Sequence, residues 1–109
     1  MLELWQTEWC PASRRLRQRL TELGLDYVLR QVPVERAQRD ALRDAAGTDT
    51  IPALVLENGT VLVGEAPIGD WLDANVTVPP EAEAHRLKAA KARRRYLEEE
   101  CKCLQPATH

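Results

Sequence analysis

The order of strand-like and helix-like segments constrains the fold of this chain more than any other feature of the sequence. Residues 2–6 are short and apolar at alternate positions, which is typical of a strand, and a helical pattern of leucines follows over 11–23. A second strand-like segment, 26–33, is again followed by a helical pattern, which runs over about 34–46. Because a helix joins the two strands, we expect them to lie parallel in one sheet.

The second half of the chain carries a different signal, that of an antiparallel hairpin. Two short apolar runs, 53–56 and 60–63, flank Asn58-Gly59, and this dipeptide is a strong indication of a tight turn between paired strands. Two βα units followed by a hairpin predict an α/β fold in which one mixed four-stranded sheet is flanked by helices.

Two further helices complete the predicted order of elements. A third helix follows the hairpin, and a break over 75–80 separates it from a charged, alanine-rich helix that runs from Glu81 to about Cys103. We therefore predict one domain over 1–76, followed by a linker, a C-terminal helix and a short tail over 77–109.

Composition limits the chain to one modest core and argues against some classes of partner. It has 109 residues, 44% of them hydrophobic, and 15 basic against 17 acidic side chains give a net charge of −2. A nearly neutral chain has no global field that would attract nucleic acid or an anionic membrane, and no apolar run approaches the roughly 20 residues of a membrane helix. No basic leader precedes an apolar segment at the N-terminus, so we expect a cytoplasmic protein.

Cys10 is the residue whose position most favours chemistry. It ends the loop after the first strand and directly precedes Pro11, which places its sulfur at the N-terminus of a helix. Unpaired backbone N–H groups and the positive end of the helix dipole favour a thiolate there, and Arg14 and Arg15 add positive charge one turn into the helix. We therefore predict a reactive thiol of lowered pKa; the alternative is a buried, unreactive cysteine at a strand–helix junction.

Three short segments carry a resemblance to a known family. They are Trp-Cys-Pro-Ala-Ser at 9–13, Thr-Ile-Pro-Ala-Leu at 50–54 and Gly-Glu-Ala at 64–66. In this order and spacing they resemble glutaredoxins and the N-terminal domains of glutathione S-transferases. The resemblance covers about residues 2–76 and implies the thioredoxin fold, in agreement with the element order.

The resemblance also implies a role for each matched residue. Cys10 would be the nucleophile that forms a mixed disulfide with glutathione or a similar low-molecular-weight thiol, which acts as co-substrate. Ile51, before a cis Pro52, would offer its backbone N–H and C=O to the peptide of that thiol, as an added strand. Glu65 and Ala66 would present backbone N–H groups at a helix N-terminus to a carboxylate.

Departures from the family pattern refine the expected chemistry. Ser13 stands where dithiol glutaredoxins have their second cysteine, so Cys10 has no adjacent resolving thiol and is expected to act alone. In transferases with this motif, a residue such as Ser13 could instead donate a hydrogen bond to the sulfur. Ala66 replaces the serine that such transferases commonly use on the γ-glutamyl carboxylate of glutathione, and Trp9 is expected to shelter the thiol.

The C-terminal helix leaves several interpretations open. Its narrow apolar stripe could pack on the domain or on a second copy, so a homodimer through this helix is one predicted arrangement. Cys101 or Cys103 could supply a distant resolving thiol for Cys10. Too few ligands accompany these cysteines for a tetrahedral metal site, and we expect no metal.

Together these features predict an enzyme, a glutaredoxin-like monothiol thiol–disulfide oxidoreductase that reduces protein mixed disulfides through Cys10. Because one predicted helix follows the domain, rather than the long helical second domain of a transferase, we expect thiol exchange instead of conjugation to electrophiles. The alternative is a non-catalytic thioredoxin-fold module that binds a protein partner through the thiol groove and the C-terminal helix.

Overall fold

A computed structural model describes residues 1–95 of the chain, and its order of elements confirms the predicted α/β architecture. The predicted continuation of the last helix, with Cys101 and Cys103, lies outside the described residues. The elements are β1 (Leu2–Gln6), α1 (Pro11–Glu22), β2 (Tyr27–Gln31), a 3-10 turn (Arg36–Gln38), α2 (Asp40–Ala46), β3 (Ala53–Val55), β4 (Val61–Val63), α3 (Glu65–Asn75) and α4 (Ala82–Arg93).

The four strands form one mixed sheet in the order β2-β1-β3-β4. β1 pairs with β2 in parallel, as the intervening helix predicts, and Leu4 lies opposite Leu29. On its other side β1 pairs antiparallel with β3, and β3 pairs antiparallel with β4. The predicted hairpin turn is also present: Gly59 has a φ of 88°, and the Asn58 side chain accepts a hydrogen bond from the N–H of Thr60 at 3.0 Å.

This topology brings three loops to one edge of the sheet. Trp5, Ala53 and Val63 are paired across β1, β3 and β4. Since β3 runs against β1 and β4 runs against β3, the loop after β1, the loop before β3 and the loop after β4 all lie at the same end. Cys10 lies in the first of these loops, and the other two predicted site segments occupy the second and third.

The apolar side chains form two clusters, one on each face of the sheet. Neighbouring residues of a strand point to opposite faces, so Leu4 and Leu54 belong to one cluster while Trp5 and Ala53 belong to the other. The larger cluster holds α1 and α3 against the sheet, and the smaller one holds α2. The buried members of the larger cluster are Leu2, Leu4, Leu16, Leu20, Leu23, Leu54, Leu56, Ile68 and Leu72, and those of the smaller are Trp5, Val32, Leu42 and Ala53.

The second helix is shorter than the predicted segment 34–46, because α2 begins only at Asp40. The cause is the side chain of Arg39, which is 7% exposed. Its guanidinium donates to the backbone carbonyls of Pro33 at 2.9 Å and Val34 at 3.2 Å. These bonds hold the preceding loop against the start of the helix, so the chain reaches α2 through the loop and the 3-10 turn.

The last described helix, α4, packs against α1. Its first residue, Ala82, is buried, while Leu87 is 62% exposed, so the described residues cover the apolar face of the helix only in part. None of the helices within residues 1–95 combines the length and the apolar character that a bilayer crossing requires.

Candidate active site

The sulfur of Cys10 sits at the N-terminus of α1. Cys10 is the N-cap residue, in extended conformation, and Pro11 occupies the first helical position, where a missing N–H costs nothing. The Cys10 Sγ accepts a hydrogen bond from the backbone N–H of Ser13 at 3.4 Å, as the oxygen of a capping side chain does in other helices. The thiol is half-buried rather than enclosed, so the predicted placement of a reachable sulfur at a helix N-terminus is confirmed.

Opposing effects set the pKa of the Cys10 thiol. Burial is the largest of them and raises the pKa, but it is outweighed by hydrogen bonds from Ser13 and from the backbone of Ala12, together with the positive charge of Arg15. The net result is a pKa below the ordinary value for cysteine. A larger fraction of the sulfur is therefore thiolate near neutral pH, and the thiolate is the nucleophilic form.

The backbone of Ser13, rather than its side chain, is the better-defined donor to this sulfur. The Ser13 hydroxyl is fully buried and lowers the pKa of Cys10, yet within residues 1–95 its oxygen forms no hydrogen bond of normal geometry. The backbone N–H of Ser13, by contrast, has the distance and direction of a hydrogen bond to the sulfur.

The charge that supports the thiolate comes from Arg15, whereas the sequence pointed to Arg14 as well. Arg14 is exposed, and in the described part of the chain its side chain forms no ion pair or hydrogen bond and is not among the causes that shift the pKa of Cys10. Arg15 is fixed by two hydrogen bonds to the carboxylate of Glu65, at 2.6 and 2.8 Å. This bidentate pair joins the helix of the thiol to the start of α3 and orients the guanidinium near the sulfur.

Removing the charge of Arg15 is expected to raise the pKa of the Cys10 thiol. In Arg15→Gln the thiolate loses its coulombic stabilisation, so the alkylation rate of Cys10 by iodoacetamide should rise at higher pH than in the parent chain. The matched substitution Arg14→Gln should shift the dependence of the alkylation rate on pH by less than Arg15→Gln does. Equal displacement by the two substitutions would contradict the assignment to Arg15.

The second loop at this edge carries Ile51 and Pro52, and the peptide bond between them is cis. Within residues 1–95 neither the N–H nor the C=O of Ile51 has a hydrogen-bond partner. The carbonyl of Pro52, by contrast, accepts from the N–H of Gly64 at 2.8 Å, which ties this loop to the start of α3. The backbone N–H and C=O of this one residue are thus available to an added strand.

Several side chains fix the position of this second loop. Arg39, already bonded to the loop before α2, also donates to the carbonyl of Asp49 at 2.9 Å. Arg36 donates to the carboxylate of Asp49 at 3.0 Å and to the hydroxyl of Thr50 at 2.7 Å. The segment before Ile51 is therefore held by two guanidinium groups that the sequence analysis did not identify. The density of arginines over 36–43 was the available signal.

The third loop ends at the N-terminus of α3. Gly64 is the N-cap residue with a φ of 95°, a conformation that residues with a Cβ rarely adopt. In the described residues, the backbone N–H groups of Glu65 and Ala66 have no acceptor, as is usual for the first turn of a helix. The predicted pair of donors is therefore available, and the Glu65 carboxylate itself is turned toward Arg15.

Trp9, like Arg14, is a predicted site residue whose position differs from its expected role. It directly precedes Cys10, but it is 61% exposed, so most of its ring faces solvent in this structure. The remaining predicted residues all lie in the three loops at this edge or in the first turn of α1.

A mixed sheet flanked by helices, with a cysteine at the start of the first helix and a cis-proline loop beside it, defines a thioredoxin-fold protein. The profile of the family "Glutathione S-transferase, N-terminal domain" matches residues 9–75, which is more than half of the chain. The chain belongs to this family. A search of curated proteins found no match.

Solved structures support the same assignment. A glutathione transferase family member from Pseudomonas fluorescens Pf-5, with bound glutathione, is 26% identical over 100% of this chain and 60% of its own, with a TM-score of 0.63. A glutathione S-transferase from Rhodospirillum rubrum F11 is 25% identical over 88% of this chain and 46% of its own, with a TM-score of 0.59. A thioredoxin-like protein, 20% identical, shares the fold over 67% of this chain and 97% of its own, with a TM-score of 0.55. The chain thus spans about half the length of the transferases that it matches.

Proposed function

We propose that this protein is a glutathione-dependent monothiol thiol–disulfide oxidoreductase that acts through Cys10. The observation that carries the proposal is the half-buried Cys10 sulfur, which accepts the Ser13 N–H at the start of α1 and has a lowered pKa. A structural cysteine of the same fold would be buried in apolar surroundings, and its pKa would be raised.

The proposed reaction consists of two exchanges of the same kind. The Cys10 thiolate attacks the glutathione sulfur of a protein–glutathione disulfide, the S–S bond breaks, and the protein leaves as a thiolate that takes a proton from solvent. Cys10 is then disulfide-bonded to glutathione. A second glutathione thiolate attacks the glutathione sulfur of this adduct, which forms oxidised glutathione and regenerates the Cys10 thiolate.

Free backbone groups support glutathione as the co-substrate. The N–H and C=O of Ile51, which have no partner within residues 1–95, suit the peptide of a cysteinyl residue, and the N–H groups of Glu65 and Ala66 suit a carboxylate. Similar structures from Pseudomonas fluorescens and Sulfitobacter contain bound glutathione. Because these donors belong to the backbone, the change from serine to Ala66 removes one hydroxyl contact but leaves the main anchors in place.

Two measurements on one variant test the proposal. In Cys101→Ser/Cys103→Ser, Cys10 is the remaining thiol, so its alkylation rate against pH reports its pKa directly. We expect a pKa below that of a free cysteine, and turnover of a peptide–glutathione disulfide whose rate rises with pH as the thiolate forms.

An ordinary cysteine pKa together with no turnover would contradict the proposal and favour the alternative, a non-catalytic binding module. Turnover by the parent chain but not by the double variant would instead assign a resolving role to Cys101 or Cys103. A glutathione adduct on Cys10, found by mass spectrometry after one equivalent of disulfide, is the expected intermediate.

A further inference from the structure

A polar cleft of about 370 Å³ lies between α1 and α4, outside the three loops of the candidate site. It is open to solvent, and its volume is within the range of small-ligand sites. Its two sides lie more than 70 positions apart in the chain, so no local sequence pattern marks it. Its lining consists of Arg14, Arg15, Gln18, Arg19, Glu22 and Arg93.

The cleft begins about one helical turn along α1 from the reactive sulfur, at Arg14. Residues four apart lie on one face of a helix, so Cys10, Arg14, Gln18 and Glu22 form a stripe along α1. With a rise of about 1.5 Å per residue, Arg14 stands roughly 6 Å from Cys10 along the helix axis. Arg15 is turned by about 100° from Arg14, and its pairing with Glu65 shows that it faces α3. The stripe therefore leads from the sulfur toward α4.

Most charges around the cleft are paired with another described residue, and two of them have no acidic partner within residues 1–95. Arg15 is bound to Glu65 and Arg19 to Asp73. The buried carboxylate of Glu22 accepts from Gln18 at 3.0 Å and lies 3.6 Å from the guanidinium of Arg86 on α4. Arg14 and Arg93 complete the lining.

Neither of these two arginines has an acidic partner in the described part of the chain. The guanidinium of Arg14 forms no hydrogen bond there, and that of Arg93 donates to the neutral side chain of Gln18, at 2.8 Å. Two guanidinium groups thus face one open cleft without an acidic partner among residues 1–95. Guanidinium groups are the donors that proteins most often use for carboxylates.

We propose that this cleft binds a carboxylate on the leaving half of the disulfide substrate, so that the enzyme prefers mixed disulfides of glutathione with acidic thiols. The proposal rests on the function proposed above. In it, the glutathione half of the disulfide lies against Ile51 and α3. The other half lies along the stripe of α1, with its carboxylate between Arg14 and Arg93.

The test compares small disulfides that differ in the charge of the leaving half. The probes are glutathione mixed disulfides with 3-mercaptopropionate, which is anionic, and with 2-mercaptoethanol, which is neutral. Because the two leaving thiols differ in intrinsic reactivity, the ratio of their kcat/KM values is compared between variants rather than read alone. A second pair of probes, glutathionylated Cys-Glu and Cys-Gln peptides, shows whether an acidic protein segment is preferred in the same way.

Arg93→Gln should lower the anionic-to-neutral ratio by about three-fold at low salt, and Arg14→Gln should lower it by a similar factor. Lys88→Gln removes one positive charge from the same helix without touching this cleft, and it should leave the ratio unchanged. High salt should reduce the preference in the parent chain, because the cleft is open and screened. An unchanged ratio in Arg14→Gln/Arg93→Gln, with the neutral disulfide still turned over, would overturn the proposal.

If the proposed catalysis is itself wrong, neither the anionic nor the neutral disulfide is turned over. That result differs from an unchanged ratio of the two kcat/KM values. Succinate binding tests the cleft independently of turnover, by NMR shifts of the Gln18 side-chain amide in the parent chain and in the double arginine variant. Shifts in the parent that disappear in the double variant support the cleft. The absence of shifts in the parent overturns it.

Discussion

Replacing Cys10 with serine is expected to reduce turnover of a peptide–glutathione disulfide by on the order of 1000-fold or more. A serine hydroxyl at the start of α1 can still cap the helix, but it does not ionise near neutral pH and does not exchange with a disulfide. The measurement is the initial rate with the parent chain, the Cys10→Ser variant and the buffer alone.

The serine variant also separates chemistry from folding. Since serine is a good N-cap residue, the free energy of unfolding should change little, and a large loss of stability would mean that the rate effect is not specific. The matched control is Cys101→Ser/Cys103→Ser, which removes two thiols elsewhere in the chain. Retention of the full rate by Cys10→Ser would eliminate Cys10 as the nucleophile.

Truncating Leu20 to alanine should give the largest loss of stability among single changes in α1, about 2–5 kcal/mol of unfolding free energy. Leu20 is fully buried in the larger apolar cluster, between the helix and the sheet. The substitution removes three carbons and leaves a cavity that the surrounding leucines cannot easily fill. Urea denaturation followed by circular dichroism measures the change.

Leu87→Ala provides the comparison, because it deletes the same atoms at a position that is 62% exposed. There the unfolding free energy should change by no more than about 0.5 kcal/mol. A comparable loss at both positions would mean that Leu87 is covered by something other than residues 1–95, such as the second copy predicted for a homodimer through this helix.

The overall fold follows from local patterns that sequence displays directly. The alternation of apolar residues over 2–6 and the dipeptide Asn58-Gly59 are both local signals. The first strand and the hairpin turn lie where these signals predict them. The start of α2 could not be located in this way. It depends on where the Arg39 side chain finds its acceptors, and one of these, the carbonyl of Asp49, lies ten residues further along the chain.

The candidate site was predictable to the extent that it is made of backbone. Pro11 and Gly64 mark the N-terminal ends of α1 and α3 in the sequence. These ends fix where the Cys10 thiol and the backbone N–H donor of Glu65 lie. The choice between Arg14 and Arg15 was not predictable. It depends on Glu65, which is 50 residues away from Arg15 and is brought to it only by the packing of α3 beside α1.

The hairpin turn between β3 and β4 lies at the end of the sheet opposite to the three site loops. The N-terminal amino group of Met1 lies there too, 3.6 Å from the carboxylate of Glu57 in that turn. Both are exposed, and neither touches the reactive edge. A fluorescent label, an affinity tag or an immobilising linker attached at either point would therefore leave the thiol facing away from the attachment, which gives single-molecule and surface-based assays a fixed orientation.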